Sequence, residues 1–396
     1  VFYASRPGIN FITVRGFTLR NAATPWAPPT TEQIGLIGVN WGRGWVIEDN
    51  DVAYSICSGI SLGKYHDPED KGELVEWTPD GDTYHGTIKR ALLNGWDRSQ
   101  VGGHRVRGNH VSHCEMAGIV GSFGAIFSEV TGNVIHHIHV RRSFGGYEMG
   151  GIKFHGAIDT RIAGNHIHNC EIGLWLDWMS QGTRVSGNLF HDNRHLDLYM
   201  EVNHGPFVID HNVLLSKRSL EDVSEGGLYA HNLFGGTFYR HSELQRTTPY
   251  HREHSTEVIE RLITVGGENR FFNNVFVAPA TLEAYADPAI VPSIDEGNVF
   301  LDDSKPIEVR VQVEDVDGSG ATLRLDLPDT ASASTRLVDT ARAGTAKITG
   351  LGYYDVDGSP LRLTQDCLGR PHNLERPLPG PFAEAAEVVR FRARKD

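Results

Sequence analysis

Three segments between residues 151 and 201 alternate apolar and polar positions with period two: Gly-Ile-Lys-Phe-His (151–155), Gly-Leu-Trp-Leu-Asp (173–177) and Asp-Leu-Tyr-Met-Glu (197–201). Such alternation predicts strands with one buried face. Aligned on their first residues, Ile152, Leu174 and Leu198 share one inward column, and Phe154, Leu176 and Met200 the next. The outward columns are Lys153, Trp175, Tyr199 and His155, Asp177, Glu201. The starts lie 22 and 24 residues apart (173 − 151 and 197 − 173). Stacked as parallel strands, successive rows stand only ~4.8 Å apart. Two carboxylates, Asp177 and Glu201, are then neighbours in one outward column.

A second motif recurs beside the first. An apolar residue, two or three small or polar residues and an Asn are followed by another apolar residue, at Asn50, Asn109, Asn133, Asn165, Asn188, Asn212, Asn232 and Asn274. Four of the seven steps between these asparagines span 20 to 24 residues, and an early copy carries Phe17 in the Asn place. A repeat of this length with two short strands predicts an all-β right-handed parallel β-helix, its corner asparagines stacked as a hydrogen-bonded ladder. The leucine-rich-repeat consensus of similar length is absent. Residues 1–305 are assigned to the β-helix. From residue 306, Val-Arg-Val-Gln-Val, Ala-Thr-Leu-Arg-Leu-Asp-Leu and Ala-Lys-Ile-Thr-Gly-Leu read as antiparallel strands of a small C-terminal β region, expected to cap the open end of the helix.

The longer steps are insertions at turns, where pocket walls are built. One, between Tyr65 and Gly103, is acidic (Asp67, Glu69, Asp70, Asp80, Asp82). A second, at 141–150, holds Tyr147 and Glu148. A third, from Gly235 to about Leu262, is rich in Arg and His, including Arg240, Arg246, His251, Arg252 and His254.

The net charge of −13 and the absence of any basic run argue against nucleic acid and anionic membrane as partners. There is no run of about 18 apolar residues that could span a bilayer. Three of the four cysteines (Cys57, Cys114, Cys170) recur at matching repeat positions and read as buried packing residues; with Cys367 they are too few for a disulfide framework and point to a reducing, cytoplasmic compartment. The opening Val-Phe-Tyr-Ala-Ser has no signal pattern and reads as the middle of a repeat, so an N-terminal portion is expected to be missing. Subunit number is left open, a homo-oligomer included.

Paired carboxylates about 5–5.5 Å apart suit retaining glycosidic hydrolysis, one as nucleophile and one as acid/base, and adjacent rows of one column supply that spacing. Their mutual repulsion would raise one pKa, as the acid role requires. Trp175 and Tyr199 offer apolar area for sugar rings, and Lys153, His155 and His204 flank the pair. Glu148 enters from a turn as a further carboxylate able to hold sugar hydroxyls, and His251 and His254 lie on an insertion able to fold over a pocket. The twenty histidines show no metal-ligand spacing, and His136, His137 and His139 alternate faces. The acidic insertion lacks an EF-hand pattern. No metal or cofactor is expected.

The stretches Pro-Gly-Ile-Asn-Phe-Ile-Thr-Val-Arg-Gly-Phe (7–17), Cys-Ser-Gly-Ile-Ser-Leu-Gly-Lys-Tyr (57–65), Gly-Leu-Trp-Leu-Asp-Trp (173–178) and Asp-Leu-Tyr-Met-Glu-Val-Asn-His-Gly-Pro (197–206) resemble glycoside hydrolase family 120, over roughly residues 1–300. The resemblance implies a parallel β-helix β-xylosidase, retaining, which releases xylose from the non-reducing end of xylo-oligosaccharides. It makes Asp177 the nucleophile, Glu201 the acid/base and Glu148 a carboxylate that binds the terminal sugar. Family members are longer and carry a β-sandwich beside the helix, from which this chain departs at its N-terminus. The alternatives from the residues alone are a β-helix lyase or epimerase acting on uronates, with Lys153, Arg246 or Arg252 against the substrate carboxylate, and a glycan-binding β-helix without turnover.

Overall fold

The computed structural model describes every residue except 28–32, 67–81, 144–148, 302–308, 314–319, 326–332, 385–387 and 393–396. Each rung but the last contributes three short strands and the last contributes two, so the rungs stack into three parallel sheets of nine, ten and ten strands among the described residues. The chain is a right-handed parallel β-helix. The sequence pattern predicts two strands per repeat; the third follows the recurring Asn, as at His166–His168 and Leu189–His191. Three residues are too few for alternation to reveal a strand.

In the first sheet, β1 (Gly150–His155), β2 (Ile172–Asp177), β3 (Leu196–Glu201) and β4 (Arg218–Val223) pair in sequence. Their register is the one the alternation predicts: Ile152, Leu174 and Leu198 align, as do Phe154, Leu176 and Met200, and all six are fully buried in the axial core. A slip of one residue would turn this entire set outward, so the apolar columns fix which side chains face away from the core.

The asparagine ladder is continuous from Asn50 to Asn274 and runs on to Asn298. Each Nδ2 donates to the Oδ1 of the next Asn at 2.9–3.0 Å. The ladder stops where the sequence substitutes Phe17, whose backbone N–H donates to Asn50 Oδ1 at 3.0 Å. The residue before each Asn adopts a left-handed conformation to turn the corner; Gly108, Gly132, Gly164 and Gly187 do so at φ +61 to +63° without a Cβ penalty, whereas later rungs place His211, His231 and Asn273 there, at +56, +54 and +55°.

The described residues of the C-terminal region lie along the flank of the helix rather than over its end. Its three-stranded antiparallel sheet (Val309–Val313, Gly320–Leu325, Val388–Arg392) brings Ala321, Leu323, Val389 and Phe391 onto Leu189, Val213 and Leu233, which face out of the third sheet. Val338, Leu361 and Leu363 cover Val208, Leu228, Ala230 and Phe272 on the second. These outward apolar residues demand cover along the flank, so the region lies there. Residues 347–349 form a turn rather than the strand their alternation predicts.

Two insertions meet beside the corner between the first and second sheets. Helix α1 (Asp82–Leu93) leads to Trp96, whose Nε1 donates to Phe123 O at 2.9 Å. The third insertion is an antiparallel hairpin, β5 (Glu243–His251) and β6 (Val258–Thr264). Thr256 donates to the Trp96 carbonyl, which joins the two. Asp67, Glu69, Asp70 and Asp80 lie outside the described residues. Cys57, Cys114 and Cys170 are buried and unpaired, and no described helix is long and apolar enough to cross a membrane.

Candidate active site

The outward columns of β1, β2 and β3 bring the predicted residues together. His155, Asp177 and Glu201 align, beside Lys153, Trp175 and Tyr199, and β4 extends the second column with Glu221. The face is covered rather than open: Lys153, His155, Trp175 and Asp177 are all buried. Asp177 Oδ2 accepts from Lys153 Nζ at 2.5 Å and from His155 Nε2 at 2.8 Å. Asp177 Oδ1 is buried and has no hydrogen-bond partner among the described residues. Burial alone would raise this carboxyl, but the Lys153 ammonium, then His155 and Arg246, hold it well below the usual carboxylate range.

Glu201 sits in the opposite situation. Trp175 Nε1 donates to its Oε2 at 2.9 Å and Arg246 Nη2 to its Oε1 at 3.2 Å. Both contacts favour the anion, yet burial and the Asp177 charge outweigh them and push Glu201 up to about 7. Two like carboxylates on adjacent rungs thus divide: one stays ionised and the other keeps its proton near neutrality. Lys153 lies closest to the acid it ionises, which sets the direction of the split.

Trp175 scaffolds this arrangement. Lys153 Nζ stands 3.5 Å from the centre of its ring, and Tyr199 stacks on it at 5.0 Å with the planes 26° apart. Its ring is therefore held between two neighbours, while its N–H orients Glu201. The backbone leaves both acids in left-handed conformations at non-glycine residues: Trp178 (φ +35°) and Met179 (+62°) after Asp177, and Val202 (+47°) after Glu201. A β-branched residue there is uncommon and costs about 1–3 kcal/mol. It is held because Trp178 N–H donates to Glu201 O at 2.9 Å and Met179 N–H to Val202 O at 3.2 Å, with Trp178, Met179 and Val202 packed against Phe123 and Trp96.

The three remaining histidines lie elsewhere in the hairpin's support. His204 is buried; its Nδ1 bonds Glu225 Oε1 at 2.6 Å and its Nε2 faces the carbonyls of Thr248 (3.0 Å) and Leu262 (3.2 Å), one on each hairpin strand. His251 is also buried, bonded through Nδ1 to Thr256 O at 3.0 Å, and its backbone is clasped by Gln181 at 2.8 and 2.9 Å. His254 bonds Asp159 at 2.9 Å, which raises its pKa. These three anchor the insertion to the helix body, and the residue that the insertion delivers to the acids is Arg246. Sequence separation hid this: only the folded hairpin shows which of its basic residues reaches Glu201. Glu148 lies outside the described residues.

A parallel β-helix bearing an Asp and a Glu on adjacent rungs, one held ionised and one held protonated, has the equipment of a glycoside hydrolase. The family model described as a right handed beta helix region matches residues 84–237. The solved structure of XylC in complex with xylose is 34% identical with a TM-score of 0.89, over 98% of this chain and 68% of that one. The chain belongs to the family of that protein, glycoside hydrolase family 120. The pectate lyase Pel9A gives 11% identity and a TM-score of 0.38 over 74% of this chain and 68% of its own. No curated protein matches.

Proposed function

We propose that this protein is a retaining, exo-acting β-xylosidase that releases xylose from the non-reducing end of xylo-oligosaccharides, with Asp177 as nucleophile and Glu201 as acid/base. The observation that carries the reading is the split between the two carboxylates, Asp177 bound by Lys153 and His155 and Glu201 raised to about 7. Adjacent strands of a sheet are ~4.8 Å apart, which fits the short carboxylate spacing of retention rather than the longer spacing of inversion. The xylose complex of XylC supports the sugar.

Asp177 Oδ1, which has no hydrogen-bond partner among the described residues, attacks the anomeric carbon, while Oδ2 stays with Lys153 and His155. Glu201 gives its proton to the leaving oxygen as the glycosidic bond breaks, and a covalent xylosyl ester forms. Esterification removes the Asp177 charge that had raised Glu201. The proton affinity of Glu201 then falls, and Arg246 and Trp175 stabilise the anion that now takes a proton from the attacking water. Water cleaves the ester with a second inversion, so the anomer is retained. Glu148 completes this reading as the carboxylate that holds the terminal sugar.

The uronate lyase reading loses its support, because Lys153 is paired with Asp177 and Arg246 with Glu201, and Arg252 pairs with Glu257 at 2.7 Å. Proton NMR of an aryl β-D-xyloside digest tests the proposal. β-Xylose as the first anomer released supports it; α-xylose first, or no release of xylose, overturns it.

A further inference from the structure

We propose that His211, His231 and His372 form a binding site for a divalent transition-metal ion of the zinc class, which fastens the C-terminal segment to the β-helix. All three are buried, and one ligand nitrogen from each lies within 4.8 Å of the others. His211 and His231 occupy the same corner position of consecutive rungs, where the four preceding rungs use glycine. His372 comes from the C-terminal region laid along that corner. The site is assembled across the seam between the two.

The surroundings orient the nitrogens as a metal site requires. A ligating imidazole usually donates its second N–H to a carboxylate or a backbone carbonyl, which turns the other nitrogen's lone pair toward the ion. His211 Nδ1 bonds Asp210 Oδ2 at 2.8 Å, and Asp210 is in turn held by Arg184 through two contacts of 2.8 and 3.0 Å. His231 Nδ1 faces the carbonyls of Leu378 (3.1 Å) and Gly380 (3.3 Å). Both rings therefore present Nε2. His372 Nε2 stands 2.9 Å from His211 Nε2, and its Nδ1 is buried with no hydrogen-bond partner among the described residues. The His372 ring packs against both partners, its centroid 5.2 Å from that of His211 and 4.9 Å from that of His231.

Tetrahedral coordination at about 2.0–2.1 Å places ligand nitrogens about 3.3 Å apart. The His211–His372 pair is near that spacing. The His231 ring stacks on His211 with centroids 4.9 Å apart and must tilt inward, breaking the 3.0 Å contact that its Nε2 accepts from Asn273. The histidines on the third sheet lack this convergence. His136 uses Nε2 on His110 at 2.7 Å and Nδ1 on His137 at 2.6 Å, so its partners lie on opposite sides of the ring.

The test uses the full chain, freed of metal by a chelator and titrated with Co²⁺ as a spectroscopic probe and with Zn²⁺ for stability. The expected result is one equivalent of Co²⁺ with the visible bands of a tetrahedral, nitrogen-ligated ion, and a Tm rise of about 3 °C when Zn²⁺ reaches a hundredfold excess over Kd. His372→Gln should abolish both, and His136→Gln should change neither. Absence of a saturable visible band in the wild-type chain overturns the proposal, as does a band that survives His372→Gln or disappears with His136→Gln. Should His372→Gln fail to fold, His231→Asn takes its place, since the next rung already carries Asn273 at that corner; a band that survives this change equally overturns the site.

Discussion

Replacing Glu201 with Gln should stabilise the protein, and the gain should depend on pH in a particular way. Glutamate ionises near 4.5 in the unfolded chain but near 7 in the folded one, because burial and the Asp177 charge disfavour the anion. Below 4.5 both states hold the proton and the group contributes no difference. Between 4.5 and 7 the unfolded state ionises while the folded state cannot, so wild-type stability falls as pH rises. The loss is complete above about 7. An interval of 7 − 4.5 corresponds to about 3 kcal/mol. With 396 residues, that amounts to about 3–4 °C in Tm. The assay is thermal unfolding of Glu201→Gln and wild type side by side at pH 4.5, 5.5, 7 and 8. Gln keeps one of the contacts to Trp175 and Arg246, so its altered bonding adds a constant offset and leaves the slope. Asp177 lies far below this window and drops out of the difference. The Tm difference should grow from pH 4.5 to 7 and then level off. A flat difference, or a wild type that gains over the variant, would mean that Glu201 is an ordinary ionised carboxylate, and its acid role would fall with it.

Arg246→Gln removes a cation 3.2 Å from Glu201 and should move the basic limb of kcat/KM upward by about 1–2 pH units, read from the pH–rate profile; an unmoved or lowered limb contradicts the placement. Lys153→Met leaves the buried Asp177 carboxylate with His155 as its one direct partner among the described residues, so unfolding experiments should show a loss of about 3–5 kcal/mol, and steady-state kinetics a fall in kcat of roughly a hundredfold. Asn188→Ala interrupts the corner ladder, where Asn188 bonds Ile162 O at 3.0 Å and Asn212 at 2.9 Å and accepts from Asn165; chemical denaturation should show a cost of about 2–4 kcal/mol with activity per folded molecule unchanged.

What the sequence makes legible here follows from repetition. Apolar columns recur in register, so the outward columns recur too, and Asp177 and Glu201 meet without any knowledge of the loops. The asparagine ladder is legible for the same reason, down to its break at Phe17. Features that depend on a single long-range encounter are hidden. Arg246 lies on the hairpin and His204 beneath it, and nothing local says that Arg246 reaches Glu201 while His204 clips the two hairpin strands. The placement of the C-terminal region had a local signal: Val208, Leu228 and Phe272 are apolar on the face that should be polar, and such residues call for cover. The ring pair of Trp175 and Tyr199 reads from sequence as an open sugar platform, but the same column places Lys153 against Trp175 and turns the indole into a scaffold for the acids.

The central claim is that Asp177 forms the covalent intermediate. Incubating the protein with an activated 2-deoxy-2-fluoro-β-xyloside slows breakdown of that intermediate, and peptide mass spectrometry then locates the label. The account predicts one fluoroxylosyl group per chain, on the peptide that carries Asp177 and on its carboxylate. A label on Glu201, or turnover of the reagent with no label in either peptide, would contradict it.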